Sequence, residues 1–254
     1  MKTPHRLICS LLVALTVSGC MTHSRRCDEC GVVTQVSTYD ALALGLYDGV
    51  ASLESLRPYG DFGLGTLHGW NGELVLLDGR YYLIGGDGVV QPITNLNATT
   101  PFLEVTWFHE DDRRSLPDST SYEQLRQTPN AFLPTLNAIY AIKLEGRFRH
   151  IKTRSMPTQS KPYKPMSDLV KTQPTFEFTD VEGTMVGFWM PPSTKGVGLA
   201  GWHLHFLTKD ARGGGHVLEF TTGDVALKLG KCLEFHWQIP GTSDYQQAPF
   251  GVGP

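Results

Sequence analysis

The chain has 254 residues, of which 41% are hydrophobic and 19% charged, so it is long and apolar enough to fold around a substantial core. Its formal net charge is −3 and no Lys/Arg-rich face stands out, which argues against nucleic acid as a partner. The 27 glycines and 16 prolines indicate many turns and favour strands over helices.

Residues 1–19 are predicted to be a lipoprotein signal peptide. Lys2 and Arg6 precede an apolar run, 7–17, that is too short to cross a bilayer as a helix. Small residues then precede Cys20, whose thiol can be acylated. We therefore expect an exported protein, held by lipid at Cys20 on a membrane facing the periplasm or the cell exterior. The alternative is an ordinary signal peptide cut nearby, which would leave a soluble protein.

A polar tether, residues 20–33, is predicted to precede one domain, 34–254, with halves 34–170 and 171–254. Within the tether, Cys27 and Cys30 have the spacing of a redox or zinc motif. No second cysteine pair and no strand accompany them, so a local disulfide is the better prediction for an exported protein. Cys232 lies in an apolar run, which favours a buried thiol.

The predicted elements begin with a short helix through 40–44 that ends near Asp48-Gly49, with Thr38 placed to cap it. The glycine-rich segment 60–66 is not a phosphate loop, because no Gly-Lys-Ser/Thr follows it. Residues 73–77 and 80–84 are predicted to form a hairpin around an Asp-Gly turn. Residues 102–108 are a strand candidate, and 109–120 are predicted to be a loop.

The next predicted element is a helix at 121–127. A second hairpin is predicted from 138–144 and 147–152, with a turn at Glu145-Gly146, and 155–174 is predicted to be a long crossing loop with four prolines. Further strands are expected at 175–178, 184–190, 198–207, 216–220 and 232–238. The pattern predicts an α+β fold that is predominantly β, with mixed or antiparallel sheets in two closely packed halves.

Three histidines form the candidate metal site. His203 and His205 lie two apart in an alternating strand, so they share a face with Cα atoms roughly 6.5 Å apart. A glycine-rich turn leads back to His216, which comes opposite them if the two strands pair. Three imidazoles would hold one divalent ion and leave a position open, as in catalytic zinc sites. The alternative is a set of histidines satisfied by ordinary hydrogen bonds.

Several segments in order resemble the α-acetolactate decarboxylase family over roughly residues 34–245. They are QVST at 35–38, GDFGLGT at 60–66, NGELVLLDG at 71–79, KTRS at 152–155, KPY at 161–163, GWHLHF at 201–206 and GGH at 214–216. Members of that family convert 2-acetolactate to acetoin and carbon dioxide with a bound zinc ion. The resemblance implies a small-molecule substrate and metal ligation by the three histidines, and it allows a homodimer.

The same resemblance implies active-site roles for Glu73 and Arg154 and a substrate contact for Thr66. Zinc, or another divalent transition metal that imidazole suits, would stabilise the enediolate left by decarboxylation. Arg154 could hold the departing carboxylate in a two-pronged contact, and Glu73 could deliver the proton. Without the resemblance, Glu73 would be taken for an exposed hairpin residue and Arg154 for a surface ion-pair partner.

The chain departs from the family near its C-terminus. The family generally places an acidic residue there, close to the metal, whereas no acid follows Asp244 in this chain and Asp244 matches an earlier position. One alternative is therefore an exported metal-binding protein of the same fold with lost or altered activity. Another is a metal hydrolase in which Glu73 activates water. Four further histidines show no ligand spacing: His68, His109, His150 and His236.

Overall fold

The computed structural model describes residues 31–251, which form two large β-sheets that pack face to face and a third sheet of only two strands, 51–52 and 99–100. This confirms the predicted fold class, α+β and predominantly β. Within the described range, no helix combines the length and the apolar character that crossing a membrane requires. The predicted signal peptide, the lipidation site Cys20, and the Cys27 and Cys30 pair lie outside the described residues.

The structure has fourteen strands within the described range. They are β1 (Val32–Val36), β2 (Ala51–Ser52), β3 (Phe62–Leu67), β4 (Asn71–Leu77), β5 (Arg80–Ile84), β6 (Val90–Pro92), β7 (Thr99–Thr100), β8 (Phe102–Thr106), β9 (Asp112–Leu116), β10 (Ile139–Arg154), β11 (Thr175–Met190), β12 (Gly201–Thr208), β13 (Gly214–Cys232) and β14 (Glu234–Gln238).

The helices are short. The α-helices are α1 (Tyr39–Ala43), α2 (Leu53–Leu56), α3 (Tyr122–Gln127), α4 (Met166–Leu169) and α5 (Ser243–Gln246), and single 3₁₀ turns cover Arg57–Tyr59, Pro129–Ala131, Val170–Thr172 and Pro192–Thr194. The Thr38 hydroxyl accepts from the amide of Ala41, and Ser121 forms a reciprocal capping box with Gln124. The helix predicted at 121–127 is therefore confirmed to within one residue. The helix predicted through 40–44 is also present, but it ends at Ala43 rather than near Asp48-Gly49.

The first sheet has seven strands in the order β14-β1-β8-β3-β4-β5-β6. All of its neighbours are antiparallel except β1 and β14, which pair in parallel. The predicted hairpin around Asp78-Gly79 is confirmed as β4 and β5. The last described strand, β14, thus pairs with the first described strand, β1.

The second sheet has the order β10-β11-β12-β13-β9, and β10 also pairs with β13. Strands β10 to β13 therefore close into a small barrel. One hydrophobic cluster fills the barrel and continues to α3, and a second fills the space between the barrel and the seven-stranded sheet. A third covers the outer face of that sheet, where α2 packs. The interface between the two sheets is where the functional residues lie.

The prediction of a hairpin at 138–152 was wrong, because β10 runs unbroken through the supposed turn at Glu145-Gly146. Gly146 lies at a register irregularity, with φ +147°, and a Cβ there would sit 2.0 Å from the carbonyl oxygen of Asp224 on β13. Gly146 is therefore needed because β10 and β13 approach closely at this point, and the chain does not reverse there.

Other predicted boundaries also change. The separate strands 175–178 and 184–190 are one strand, β11, and the strand begun at 216–220 extends to Cys232. The predicted loop 109–120 contains β9, which pairs with β13, and the crossing loop 155–174 contains α4. Cys232 is buried as expected, with 3% of its surface exposed.

Candidate metal centre and active site

The alternation of β12 decides where its two histidines point. Trp202, Leu204 and Phe206 pack into the core of the barrel. Because side chains alternate along a strand, His203 and His205 point the other way, toward the seven-stranded sheet. Both are buried, with 7% and 1% of their surfaces exposed. The sequence pattern thus places two imidazoles between the sheets.

The third histidine reaches the same place by strand pairing. On β13, His216 is the register partner of His205 on one side and of Arg154 on the other. Gly215 precedes it with φ +134°, and a Cβ at this position would lie 2.5 Å from the carbonyl oxygen of Arg154. Glycine lets β13 enter between its two neighbours at this point.

The three imidazoles converge. One nitrogen from each of His203, His205 and His216 lies within 4.8 Å of the others, and the ring centroids are 5.2 to 5.4 Å apart. Burial, together with the positive charge of Arg154, lowers the pKa of His203 to about 3. Burial likewise holds the pKa of the other two rings well below the usual value. All three are therefore neutral near pH 7, which is the form that binds metal.

The opposite wall comes from β4. Glu73 Oε1 accepts from Arg154 Nη1 at 3.0 Å, and Glu73 Oε2 lies 3.2 Å from His205 Nε2. Next to it, the carbonyl oxygen of Leu74 lies 2.9 Å from His205 Nδ1. Burial raises the pKa of Glu73 to about 7, although the nearby Arg154 lowers it. Glu73 can therefore exchange a proton near neutral pH.

The histidine cluster suits a cation on its own geometry. A carbonyl oxygen only accepts, so His205 Nδ1 must carry the proton, and Nε2 then presents a lone pair toward a carboxylate oxygen. Buried nitrogens on His205 (Nε2) and His216 (Nδ1) lack hydrogen-bond partners within residues 31–251. Buried lone pairs that converge without donors are stabilised by a bound metal ion or by a proton. These residues therefore fit a divalent metal.

A cavity of about 90 Å³ opens onto the three histidines, Glu73 and Arg154. Its other walls include Trp70, whose ring lies 5.7 Å from the guanidinium carbon of Arg154. Thr66 also lines the cavity, and its hydroxyl donates to the carbonyl oxygen of Gly72 at 2.7 Å. The structure thus brings the six residues expected at the metal and active site to one cavity: Thr66, Glu73, Arg154, His203, His205 and His216. The surface interpretations of Glu73 and Arg154 were wrong, since their side chains are 5% and 11% exposed.

Asp244 lies elsewhere, beside a separate small cavity with Asp48 and Tyr163. The four histidines without ligand spacing are at least one-third exposed and lie near acidic side chains at the surface: His68, His109, His150 and His236. They take no part in the cluster.

Sequence reasoning missed Glu104 on β8. It is completely buried, burial raises its pKa to about 8, and its Oε2 lies 3.5 Å from His203 Nδ1. The available signal was an acid in the middle of an apolar run, Phe102-Leu103-Glu104-Val105. Carboxyl groups are rarely fully buried unless they are paired with another group.

Comparison with known proteins gives concordant matches. A family model described as alpha-acetolactate decarboxylase matches residues 33–251. The alpha-acetolactate decarboxylase of Methanosarcina mazei is 44% identical over 222 residues, which is 87% of this chain and 76% of the relative. That of Bacillus licheniformis is 36% identical over 86% of each chain. The crystal structure of alpha-acetolactate decarboxylase from Bacillus subtilis superposes with a TM-score of 0.82 at 36% identity, covering 85% of this chain and 92% of that one.

Proposed function

The chain belongs to the α-acetolactate decarboxylase family, and from this premise we propose that it converts 2-acetolactate to acetoin and carbon dioxide in the histidine-lined cavity. The observation that carries the proposal is the convergence of three neutral imidazoles, a buried carboxyl and a partly buried guanidinium on one cavity. The substrate offers a ketone, a hydroxyl and a carboxylate, and each of these groups has a chemical counterpart among those side chains.

The cation would be held by His203, His205 and His216. Zinc is the first choice, because three imidazoles with an open position are a common catalytic zinc site, although imidazole suits other transition metals as well. When bound, the cation would supply Lewis-acid stabilisation of the negative charge that develops on the ketone oxygen. Everything else in the reaction falls to the protein's own side chains.

Arg154 would bind the carboxylate that leaves. It is the cationic side chain of the cavity lining, and only Nη1 is engaged by Glu73. The remaining N–H groups of its planar guanidinium can form paired hydrogen bonds to a carboxylate. The Trp70 ring lies beside the guanidinium and restricts its orientation. The arrangement orients the bond that breaks.

Glu73 would supply the proton. As the bond to the carboxylate breaks, carbon dioxide leaves and the electron pair remains on the substrate as an enolate. One proton at carbon completes acetoin, and Glu73 can donate it and recover it from solvent. Its pKa near 7 suits both steps. Its place on a single wall, beside Arg154, delivers the proton from one side.

The remaining walls of the cavity are mostly apolar. Leu42, Phe102, Met166 and Leu199 line the cavity together with Trp70. An apolar lining strengthens the electrostatic interactions made by Arg154 and Glu73.

The test measures acetoin formed from racemic 2-acetolactate by zinc-loaded protein, by the same protein with a chelator, and by the His216→Ala variant. We expect formation far above the spontaneous background only in the first. Zinc-loaded protein that gives no acetoin above background would refute the proposal. Retained metal with no turnover would instead identify a binding protein that has lost the activity.

We also propose that the chain is exported and lipidated at Cys20. The support is the charged start, the short apolar run and the small residues before that cysteine. Metabolic labelling with a fatty-acid analogue tests it. Label in the wild type that disappears in Cys20→Ser is expected, and an unlabelled wild type would contradict lipidation.

A further inference from the structure

Glu104 is a buried carboxyl group that the proposed reaction does not use. It lies in the middle of β8, between the register partners Gln35 on β1 and Leu64 on β3, and none of its surface is exposed. Neither of its carboxyl oxygens has a hydrogen-bond partner within residues 31–251. Leaving a carboxyl group in this state destabilises the fold, so its presence in a central strand calls for a compensating interaction.

The nearby polar atom that can provide this interaction is His203 Nδ1. It lies 3.5 Å from Glu104 Oε2, and it also lacks a hydrogen-bond partner within the described part of the chain. The two orphaned groups therefore face each other across the gap between the sheets. A shift of either side chain by about half an ångström would bring them to a normal hydrogen-bond distance.

Glu104 does not reach the cavity. Phe102, two residues earlier and on the same face of β8, lines the cavity, whereas Glu104 is not among the lining residues. The contact of Glu104 with the site is therefore the one to His203 Nδ1. Any effect of Glu104 on the site must pass through the imidazole of His203.

We propose that Glu104 is the positioning residue of His203: its carboxyl group accepts the Nδ1–H, and the ring then presents Nε2 to the cation. This inference rests on the metal site of the proposed function. His205 provides a parallel within the same cluster, since the carbonyl oxygen of Leu74 holds its Nδ1 at 2.9 Å and leaves Nε2 free. Hydrogen bonds of this kind fix the orientation of a ligand ring and raise its basicity.

The experiment compares metal binding rather than turnover, using Glu104→Leu, Glu104→Gln and the wild type. Zinc affinity is measured by competition with a chromogenic chelator, and the visible spectrum of the cobalt-loaded protein reports ligand geometry. We expect Glu104→Leu to bind zinc roughly 10- to 100-fold more weakly and to shift the cobalt bands. Glu104→Gln should lose less, because an amide oxygen can still accept from Nδ1–H.

Thr106→Val is the matched control, because Thr106 lies on the same face of β8 and its hydroxyl donates to the carbonyl oxygen of Val32 rather than to a histidine. It should leave zinc affinity and the cobalt spectrum unchanged. A general loss of folding is recognised from the urea midpoints of the metal-free proteins. If Glu104→Leu does not fold, the cobalt spectrum of Glu104→Gln decides, because a neutral amide accepts the Nδ1–H more weakly than a carboxylate and should still shift the bands.

Unchanged zinc affinity and an unchanged cobalt spectrum in the folded variants would overturn the positioning role. Because no substrate is present, this result is independent of the decarboxylase assay. A wild type that binds zinc without forming acetoin would refute the proposed function and leave the role of Glu104 to be decided by the variants. A wild type that binds neither zinc nor cobalt would overturn the inference.

Discussion

Arg154 Nη1 lies 3.0 Å from Glu73 Oε1, and this partly buried ion pair joins the barrel to the seven-stranded sheet at the wall of the cavity. The two residues are 81 positions apart in the sequence. The other carboxylate oxygen of Glu73 lies 3.2 Å from His205 Nε2. The pair therefore connects the predicted carboxylate-binding group to the predicted metal ligands.

Replacing Arg154 with lysine should lower kcat/KM for 2-acetolactate by roughly 10- to 100-fold, which corresponds to losing about 1.5–3 kcal/mol of charge-assisted hydrogen bonding. Lysine keeps the charge but lacks the planar fork. Zinc content should not change. Arg149→Lys is the control, because Arg149 lies on the same strand and makes two exposed hydrogen bonds to Asp118. Equal kinetics in both variants would argue against a two-pronged carboxylate contact.

Glu73→Gln should retain zinc but lower kcat by roughly 10²- to 10⁴-fold, because an amide cannot donate and recover the proton. The measurement is steady-state acetoin formation, with bound zinc measured in parallel. Glu145→Gln is the control: Glu145 is a partly buried carboxylate that pairs with Lys143 and Lys228, away from the cavity. Wild-type kcat in Glu73→Gln would mean that the proton comes from another source.

The metal-free protein should be most stable slightly below pH 7. Burial lowers the pKa of His203, His205 and His216 below 6.5. Below that pH the unfolded chain therefore binds more protons at these sites than the folded chain does, and the protein becomes less stable as the pH decreases. Burial raises the pKa of Glu73 and Glu104 from 4.5 to about 7 and about 8. The folded chain therefore binds more protons at these two groups, and their contribution to stability decreases as the pH rises. Between about pH 4.5 and 6.5 three imidazoles outweigh two carboxyl groups, and each titrating group changes stability by at most about 1.4 kcal/mol per pH unit.

Above pH 6.5 the histidines are neutral in both states, so the two carboxyl groups dominate and stability should fall toward about pH 8.5. Urea midpoints of chelator-treated protein at about pH 5, 6.5 and 8.5 provide the measurement. The Glu104→Gln variant should lose less stability than the wild type between about pH 6.5 and 8.5. A midpoint that rises steadily from pH 5 to 8.5 would contradict the neutral burial of these carboxyl groups.

Gly146→Ala should lower the free energy of unfolding by roughly 1–3 kcal/mol, the usual cost of forcing extra atoms into a packed site. A Cβ at Gly146 would meet the backbone oxygen of Asp224 at 2.0 Å, and the φ of +147° is unfavourable for alanine. Gly241→Ala is the control, since nothing lies within 4 Å of a Cβ there. Equal urea midpoints for the two variants would show that β10 and β13 can move apart at this point without lowering the free energy of unfolding.

Features set by near neighbours in the chain were predictable from the sequence. The alternation in β12 places His203 and His205 on one face, and the glycines before His216 allow the return strand to approach closely. Thr38 and Ser121 cap helices because their hydroxyl groups bond to amides three residues ahead. Such features depend on backbone sterics and local hydrogen bonds, which a short segment carries by itself.

Strand pairing and contacts between residues far apart in the sequence were decided only by the tertiary structure. Local propensity predicted a turn at Glu145-Gly146, but pairing with both β11 and β13 keeps β10 extended there. Glu104 could be recognised as part of the site only once packing of the two sheets had brought it to His203. The sequence by itself determined three candidate ligands and the chemistry they suit. The packing of the two sheets decided which carboxyl groups and which guanidinium share their cavity, because non-local packing sets those contacts.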